Sequence, residues 1–215
     1  MSDIDPSFTL GRLADDRARL LRALAAEGLL ERQAALTRPS VPLRLGLVTS
    51  AGSAAEHDVL DELARSGIGF SVLRADVRVQ GTRAARSVAW GLRAVAARGV
   101  DVVLLVRGGG ATTDLAAFDS DGIARAVAGL DVPVLTGIGH DIDRSVADEV
   151  AHASYKTPTA CAQAVVADVR VVQQRTIAAW RSISLAARRH GRREAERLRA
   201  CGQHVAVATR QGLAA

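Results

Sequence analysis

Two stretches decide the fold: DVVLLVRGGG, Asp101–Gly110, and VPVLTGIGHDID, Val132–Asp143. In each, a short run of Val, Leu and Ile ends abruptly in a glycine-rich turn. Runs of this kind are typical of strands that are buried on both faces of a sheet. Because a helical pattern separates the two runs, the strands that they predict are parallel. Ligands bind at the carboxyl ends of such strands, so both polar turns are expected at a binding edge.

The same alternation of strand and helix extends through the middle of the chain. Strands are predicted at Leu43–Ser50, Gly69–Val79, Asp101–Val106 and Val132–Ile138, and each is followed by a helical pattern. This predicts an α/β fold with a four-stranded parallel, doubly wound sheet of the Rossmann or flavodoxin-like kind. A strand order of 2-1-3-4 is expected, since it places strands one, three and four side by side.

The pattern divides the chain into three parts. Residues 1–42 predict an amphipathic helix and a proline-containing linker, residues 43–157 the α/β domain, and residues 158–215 a long helical arm. Thr157 and Pro158 suit the cap and first turn of the arm. Its apolar stripe with interleaved arginines indicates an incomplete coiled-coil region that protrudes or pairs with other helices.

Composition narrows the classes of function. The 215 residues carry a net charge of +5, which fits a polyanionic partner, and the aromatic content of 3% argues against recognition of bases mainly by stacking. The two cysteines, Cys161 and Cys201, match no zinc or redox spacing. A signal peptide and an apolar run of membrane-spanning length are both lacking in the pattern, which predicts a cytoplasmic protein.

The first glycine-rich turn has the chemistry of a phosphate site. Glycines at Gly108–Gly110 allow successive N–H groups to face an anion, and Arg107 adds a bidentate clamp. Thr49 and Ser50 end the first predicted strand. They are candidate phosphate donors, or they only cap the following helix.

The second turn places a histidine between glycine and carboxylates. His140 is followed by Asp141 and Asp143, and a carboxylate one helical turn away can orient the imidazole and raise its basicity. His140 is therefore a candidate general base on water, or the acid that protonates a leaving oxygen. Asp58 is, on pattern alone, a solvated helix carboxylate. Asp58, Asp141 and Asp143 could hold Mg²⁺, although the pattern does not demand a metal.

Several short motifs also occur in one order between residues 10 and 190. They are Gly46–Ser50, Val79–Gly81, Arg107–Gly110 with Asp114-Leu115 and Phe118, Gly137–His140 with Asp143, Ala147-Asp148, and Thr157–Ala160. In this combination the chain resembles the large-subunit family of bacterial exodeoxyribonuclease VII. The resemblance implies a nuclease that cleaves single-stranded DNA from its ends into oligonucleotides. It implies active-site residues at Asp58, Arg107, His140 and Asp143.

The resemblance further implies a partner protein, and the chain also differs from the family's usual sequence at several places. A small helical subunit, bound in several copies to the arm, would make the assembly a hetero-oligomer. The family begins with an oligonucleotide-binding barrel, which nothing before Leu43 could form. Asp141 stands where the family usually has glutamate, and Ala111–Thr113 replaces a more common Ser-Leu-Glu. An excised fragment or a naturally short relative would fit, and if the chain is a fragment, weak DNA affinity and low activity are expected of it alone.

Two functions of other classes stay open. A non-catalytic module that binds phosphate, nucleotide or DNA would keep the Arg107 turn and would not need His140. A helical assembly subunit would use the arm to bind partners and the sheet only as a platform.

Overall fold

The computed structural model describes residues 6–108, 112–139 and 144–212. The described residues form a five-stranded parallel sheet, ordered β2-β1-β3-β4-β5. Its strands are β1 Arg44–Thr49, β2 Ser71–Asp76, β3 Val102–Val106, β4 Val134–Gly137 and β5 Ala153–Ser154. The predicted order of the first four strands is confirmed, whereas the prediction of only four is wrong by one. A two-residue strand has no periodicity, and β5 is held by backbone bonds from His152 to Val134 (2.9 Å) and from Tyr155 to Thr136 (2.8 Å).

Helices connect and cover the strands. They are α1 Pro6–Ala26, α2 Leu29–Arg32, α3 Ala54–Arg65, α4 Ala84–Ala96, a 3₁₀ segment Thr112–Asp119, α5 Asp121–Ala128, α6 Val146–Val150 and α7 Pro158–Gly212. Within the part of the chain that the structure describes, no helix is long and apolar enough to cross a membrane.

Two hydrophobic cores lie on opposite faces of the sheet, and β3 contributes to both. Val103 and Leu105 pack in one core, while Val102, Leu104 and Val106 pack in the other. This alternation follows from the two-residue period of a strand, and it explains why the strand is apolar throughout. Side chains of α4, α5 and α6 fill the first core, and side chains of α3 and the beginning of α7 fill the second. The predicted doubly wound architecture is confirmed.

The segment between α2 and β1 is attached to the α/β domain by polar side chains. Gln33 is fully buried, and its amide nitrogen donates to the carbonyls of Val127 (3.0 Å) and Leu130 (2.8 Å). Its amide oxygen accepts from the N–H of Val134 at 2.9 Å. Arg38 forms an ion pair of 2.7 Å with Asp168 of α7. The segment between α2 and β1 is therefore part of the domain's packing.

The chain divides into two compact units, one up to Val169 and one from Arg170 onward. In the first unit, Cys161, Ala162 and Val165 of α7 are fully buried in the core. In the second, the described side chains of α7 are mostly exposed. The burial pattern of α7 thus changes along its length.

Gly91 of α4 provides a stability test because packing and helix propensity act in opposite directions there. A Cβ atom at Gly91 would lie 2.5 Å from Cγ1 of Val77 and 3.2 Å from Cγ1 of Val48. We expect Gly91→Ala to lower the free energy of unfolding by about 1–2 kcal/mol, since overpacking exceeds the gain in helix propensity. Urea denaturation measures the change. Gly122→Ala in α5 is the control, because nothing lies within 4 Å of its added Cβ; equal stabilisation of both variants would contradict the packing account.

Candidate functional site

Hydrogen bonds between the turn after β1 and Glu56 fix the start of α3. The Ser53 hydroxyl accepts from the N–H of Glu56 at 3.2 Å, and the Glu56 carboxylate accepts from the N–H of Gly52 at 2.6 Å. Glu56 is buried and also forms an ion pair of 3.3 Å with Arg74. Carboxylates are favoured in the first turn of a helix because the unpaired N–H groups there carry partial positive charge. The α3 N-terminus is therefore held in one geometry.

The two hydroxyl groups at the end of β1 have partners within the protein. The Ser50 hydroxyl donates to the carbonyl of Val77 at 3.0 Å, and the neighbouring N–H of Ala51 donates to Asp76 at 2.9 Å. Thr49 is buried, and its hydroxyl lies 3.5 Å from that of Ser53. These bonds join the turn after β1 to the residues that follow β2. A phosphate-donor role for Thr49 and Ser50 stays a prediction.

The turn after β3 lies between β4 and the first turn of α3. The N–H of Arg107 donates to the carbonyl of Gly137 at 3.2 Å. A Cβ atom at Gly108 would lie 3.5 Å from the backbone nitrogen of Ala55. Arg107 itself is buried, with 5% of its surface exposed. Arg107 and Gly108 therefore lie beside the end of β4 and the start of α3 at one edge of the sheet.

Gly137, at the end of β4, is packed against the beginning of α7. A Cβ atom there would lie 2.9 Å from the carbonyl oxygen of Thr157 and 3.2 Å from Cα of Pro158. The Thr157 hydroxyl accepts from the N–H of Ala160 at 3.0 Å, as expected of a helix cap. Cys161 follows in the same turn, and its complete burial raises the pKa of its thiol. Cys161 is therefore a packing residue, since the reactive thiolate is disfavoured.

A buried carboxylate, Asp148, fixes the chain after residue 143. It accepts from the Thr136 hydroxyl (2.5 Å), the Ser145 N–H (2.9 Å) and the Ser145 hydroxyl (2.7 Å). These bonds tie the start of α6 to β4. The sequence interpretation assigned no role to Ser145 or Asp148, although serine followed three residues later by an acidic residue is the signal of a capping box.

Arg17 of α1 supports the same segment from outside. It donates to the carbonyl oxygen of Arg144 at 2.7 Å and lies 3.7 Å from the carboxylate of Glu149. Its Nε atom is also 3.8 Å from Asp119, whose carboxylate accepts from the N–H of Val146 at 2.8 Å. The chain before residue 139 thus belongs to β4, and the chain from residue 144 onward is bonded to α1 and α6.

The predicted site residues divide into two groups. Arg107 and Gly108 lie at the edge just described, and Asp58 is exposed on α3, three residues after the Ala55 that Gly108 approaches. Residues three apart share one face of a helix, so Asp58 lies one turn beyond that contact. Thr49 and Ser50 are described above, and the other members fall outside the described residues: Gly109, Gly110, His140, Asp141 and Asp143. Among the residues that are described, no group of three or more His, Cys, Asp or Glu side chains could hold a metal ion.

We expect Asp148→Ala to lower the free energy of unfolding by about 1–3 kcal/mol, because the buried hydroxyl of Thr136 and the N–H of Ser145 lose their acceptor. Thermal or urea unfolding measures the effect. Asp131→Ala is the matched control, since its side chain is 90% exposed and pairs only at the surface with Arg32; we expect a change within about 0.5 kcal/mol. Equal effects of the two substitutions would show that the Asp148 bonds do not stabilise the edge.

Comparison with known proteins identifies the family. Residues 29–214 match the family model described as "Exonuclease VII, large subunit". The exodeoxyribonuclease 7 large subunit of Ralstonia nicotianae is 39% identical over 188 residues, covering 87% of this chain and 43% of that protein. Its counterpart from Desulforudis audaxviator is 41% identical over 169 residues (78% and 42%), and that from Bordetella avium is 43% identical over 159 residues (72% and 34%). The chain spans less than half the length of these relatives. It belongs to the exonuclease VII large-subunit family.

Proposed function

We propose that the chain is the catalytic part of an exonuclease VII large subunit and hydrolyses phosphodiester bonds of single-stranded DNA from its ends, giving oligonucleotides. One observation carries the proposal. The Arg107-Gly108 turn is bonded to Gly137 on one side and lies against Ala55 on the other. It is therefore adjacent both to the helix that bears Asp58 and to the strand that leads to His140. The names of the relatives, exodeoxyribonuclease 7 large subunits, support the same activity.

Each residue has a role that phosphodiester hydrolysis requires. The reaction needs an activated water, stabilisation of charge on the phosphoryl oxygens, and a proton for the leaving oxygen. In the proposal, Arg107 and the glycine N–H groups after it stabilise the charge, and His140 gives a proton to the leaving oxygen. Asp143 orients His140, and Asp58 accepts the proton of the attacking water. If Mg²⁺ takes part, Asp58, Asp141 and Asp143 would hold it, and the ion would supply the activation of water.

We further propose that the arm binds the small subunit of exonuclease VII and that the assembly acts in the cytoplasm. Large apolar side chains of α7 beyond Arg170 are exposed: Ile177, Trp180, Ile183, Leu185 and Leu198. Exposed large apolar side chains are a feature of protein–protein interaction sites. The designation of the family as a large subunit supports a smaller partner.

The decisive substitution is His140→Ala. We expect it to lower the rate of hydrolysis of an end-labelled single-stranded oligonucleotide by at least about 100-fold, because the proton transfer is lost. DNA binding should be unchanged, since His140 is assigned no share in binding. The assay is run with the small subunit present, with and without chelator, and gel electrophoresis resolves the oligonucleotide products.

Asp131→Ala is the control, because Asp131 is an exposed carboxylate in the segment before β4, at the edge of the sheet opposite the proposed site. It should retain the rate of the unaltered chain. Hydrolysis by the His140→Ala protein at the unaltered rate would refute the nuclease assignment and favour a binding module. A parallel loss of binding in that variant would assign His140 to DNA contact instead of proton transfer.

A further inference from the structure

A second polar feature lies beside the proposed site, at the carboxyl end of β2. It is a groove of about 590 Å³ between the residues that follow β2 and the first turns of α4. Three arginines, Arg78, Arg83 and Arg86, line it together with Asp76 and Trp90. Trp90 is 61% exposed, although burial of an indole is strongly favourable. We call this feature the Trp90 groove.

The charge of the Trp90 groove is positive. Three guanidinium groups face one carboxylate, and that carboxylate, Asp76, already accepts from the N–H of Ala51 at 2.9 Å. Within residues 6–108, 112–139 and 144–212, Arg78, Arg83 and Arg86 form no ion pair within 4.0 Å. Arg74, only four residues earlier, does pair with Glu56. An anion in the groove would therefore not have to displace an existing salt bridge.

The sequence of α4 puts the aromatic ring and two of the charges on one face. Arg83, Arg86 and Trp90 are spaced at i, i+3 and i+7, which aligns them along one side of a helix. The side formed by Val88, Leu92 and Val95 is buried in the core. Because the core fixes the rotation of the helix, the aromatic and basic face is presented in a set orientation.

The Trp90 groove is continuous with the proposed active-site edge. Its Val77 carbonyl and Asp76 carboxylate accept the two hydrogen bonds from Ser50 and Ala51, which lie in the turn that leads into α3. In the sheet, β1 separates β2 from β3. Two strand spacings are roughly 10 Å, so the end of β2 lies only that far from the Arg107 turn. One strand of nucleic acid can reach both.

We propose that the Trp90 groove is a nucleotide subsite for single-stranded DNA, in which a base stacks on Trp90 and the adjoining phosphates contact Arg83 and Arg86. The inference rests on the proposed function and adds the path of the substrate to it. An exposed indole beside guanidinium groups matches the alternation of base and phosphate in a single strand. A duplex keeps its base faces stacked and cannot use the ring in this way. The low aromatic content of the chain argues only against recognition by many stacked bases. A single stacking site requires only one aromatic side chain, and Trp90 supplies it.

The test uses the two tryptophans of the chain, Trp90 and Trp180. In the Trp180→Phe chain Trp90 is the remaining tryptophan, and titration with oligothymidine should quench its fluorescence saturably. With a labelled oligothymidine, anisotropy should show that Trp90→Ala weakens binding by about 5- to 100-fold, while Trp90→Phe retains most of it. Circular dichroism checks that each variant is folded.

Charge substitutions provide the second measurement. For the double variant Arg83→Gln/Arg86→Gln, the slope of log affinity against log salt concentration should be less negative by about 1.4. Each phosphate contact that is lost changes this slope by about 0.7 for a single strand. Arg98→Gln is the control, since that exposed arginine lies in the turn before β3, at the opposite edge of the sheet. It should leave the slope unchanged.

Three results would overturn the subsite: no quenching of Trp90 by oligothymidine, equal quenching by inorganic phosphate alone, or unchanged affinity after both Trp90→Ala and the double arginine substitution. The third result would show that DNA binds elsewhere on the chain. The proposed function has its own readout, the hydrolysis rate of the His140→Ala protein. A result against the Trp90 subsite can therefore be told apart from a result against the nuclease assignment.

Discussion

The candidate site depends on the close approach of backbone segments at the carboxyl edge of the sheet. The hydrogen bond from the Arg107 N–H to the Gly137 carbonyl joins the turn after β3 to the end of β4, and Gly108 lies against the first turn of α3. A side chain larger than hydrogen at Gly137 would collide with the Thr157 carbonyl. Close packing between backbones therefore requires glycine at residue 137.

Buried carboxylates then hold these turns in place. Glu56 at the start of α3 and Asp148 at the start of α6 each accept backbone N–H groups near a helix N-terminus. Burial of a carboxylate is costly unless its oxygens are hydrogen-bonded, and both side chains meet that condition. Function and stability are coupled here, because the buried carboxylates fix residues next to the proposed site, in the turn after β1 and at the start of α6.

The sequence predicts the fold well, but it predicts poorly the contacts that hold the site in place. The apolar runs and their order determine the parallel sheet, since a strand such as Val102–Val106 can be buried only between two layers of helices. The capping-box spacing of Ser145 and Asp148 is visible in the sequence, but the bond from Asp148 to Thr136, twelve residues away, is not, and only folding shows that this cap is tied to β4. The Trp90 groove was missed because Arg78 follows β2 while Trp90 belongs to α4. Separation along the chain hides such contacts, whereas the short-range spacing of strand, glycine and cap does not.

The most direct test of the account is to map where DNA touches the chain. Backbone amide resonances of the ¹⁵N-labelled protein would be followed by NMR during titration with a short oligothymidine. The account predicts that the first and largest shifts occur at Ser53–Glu56, at Arg107 and Gly108, and at Gly137–Gly139, all at the carboxyl edge. Shifts confined to Gly67, Gly99 and Leu130, in turns at the opposite edge of the sheet, would contradict it.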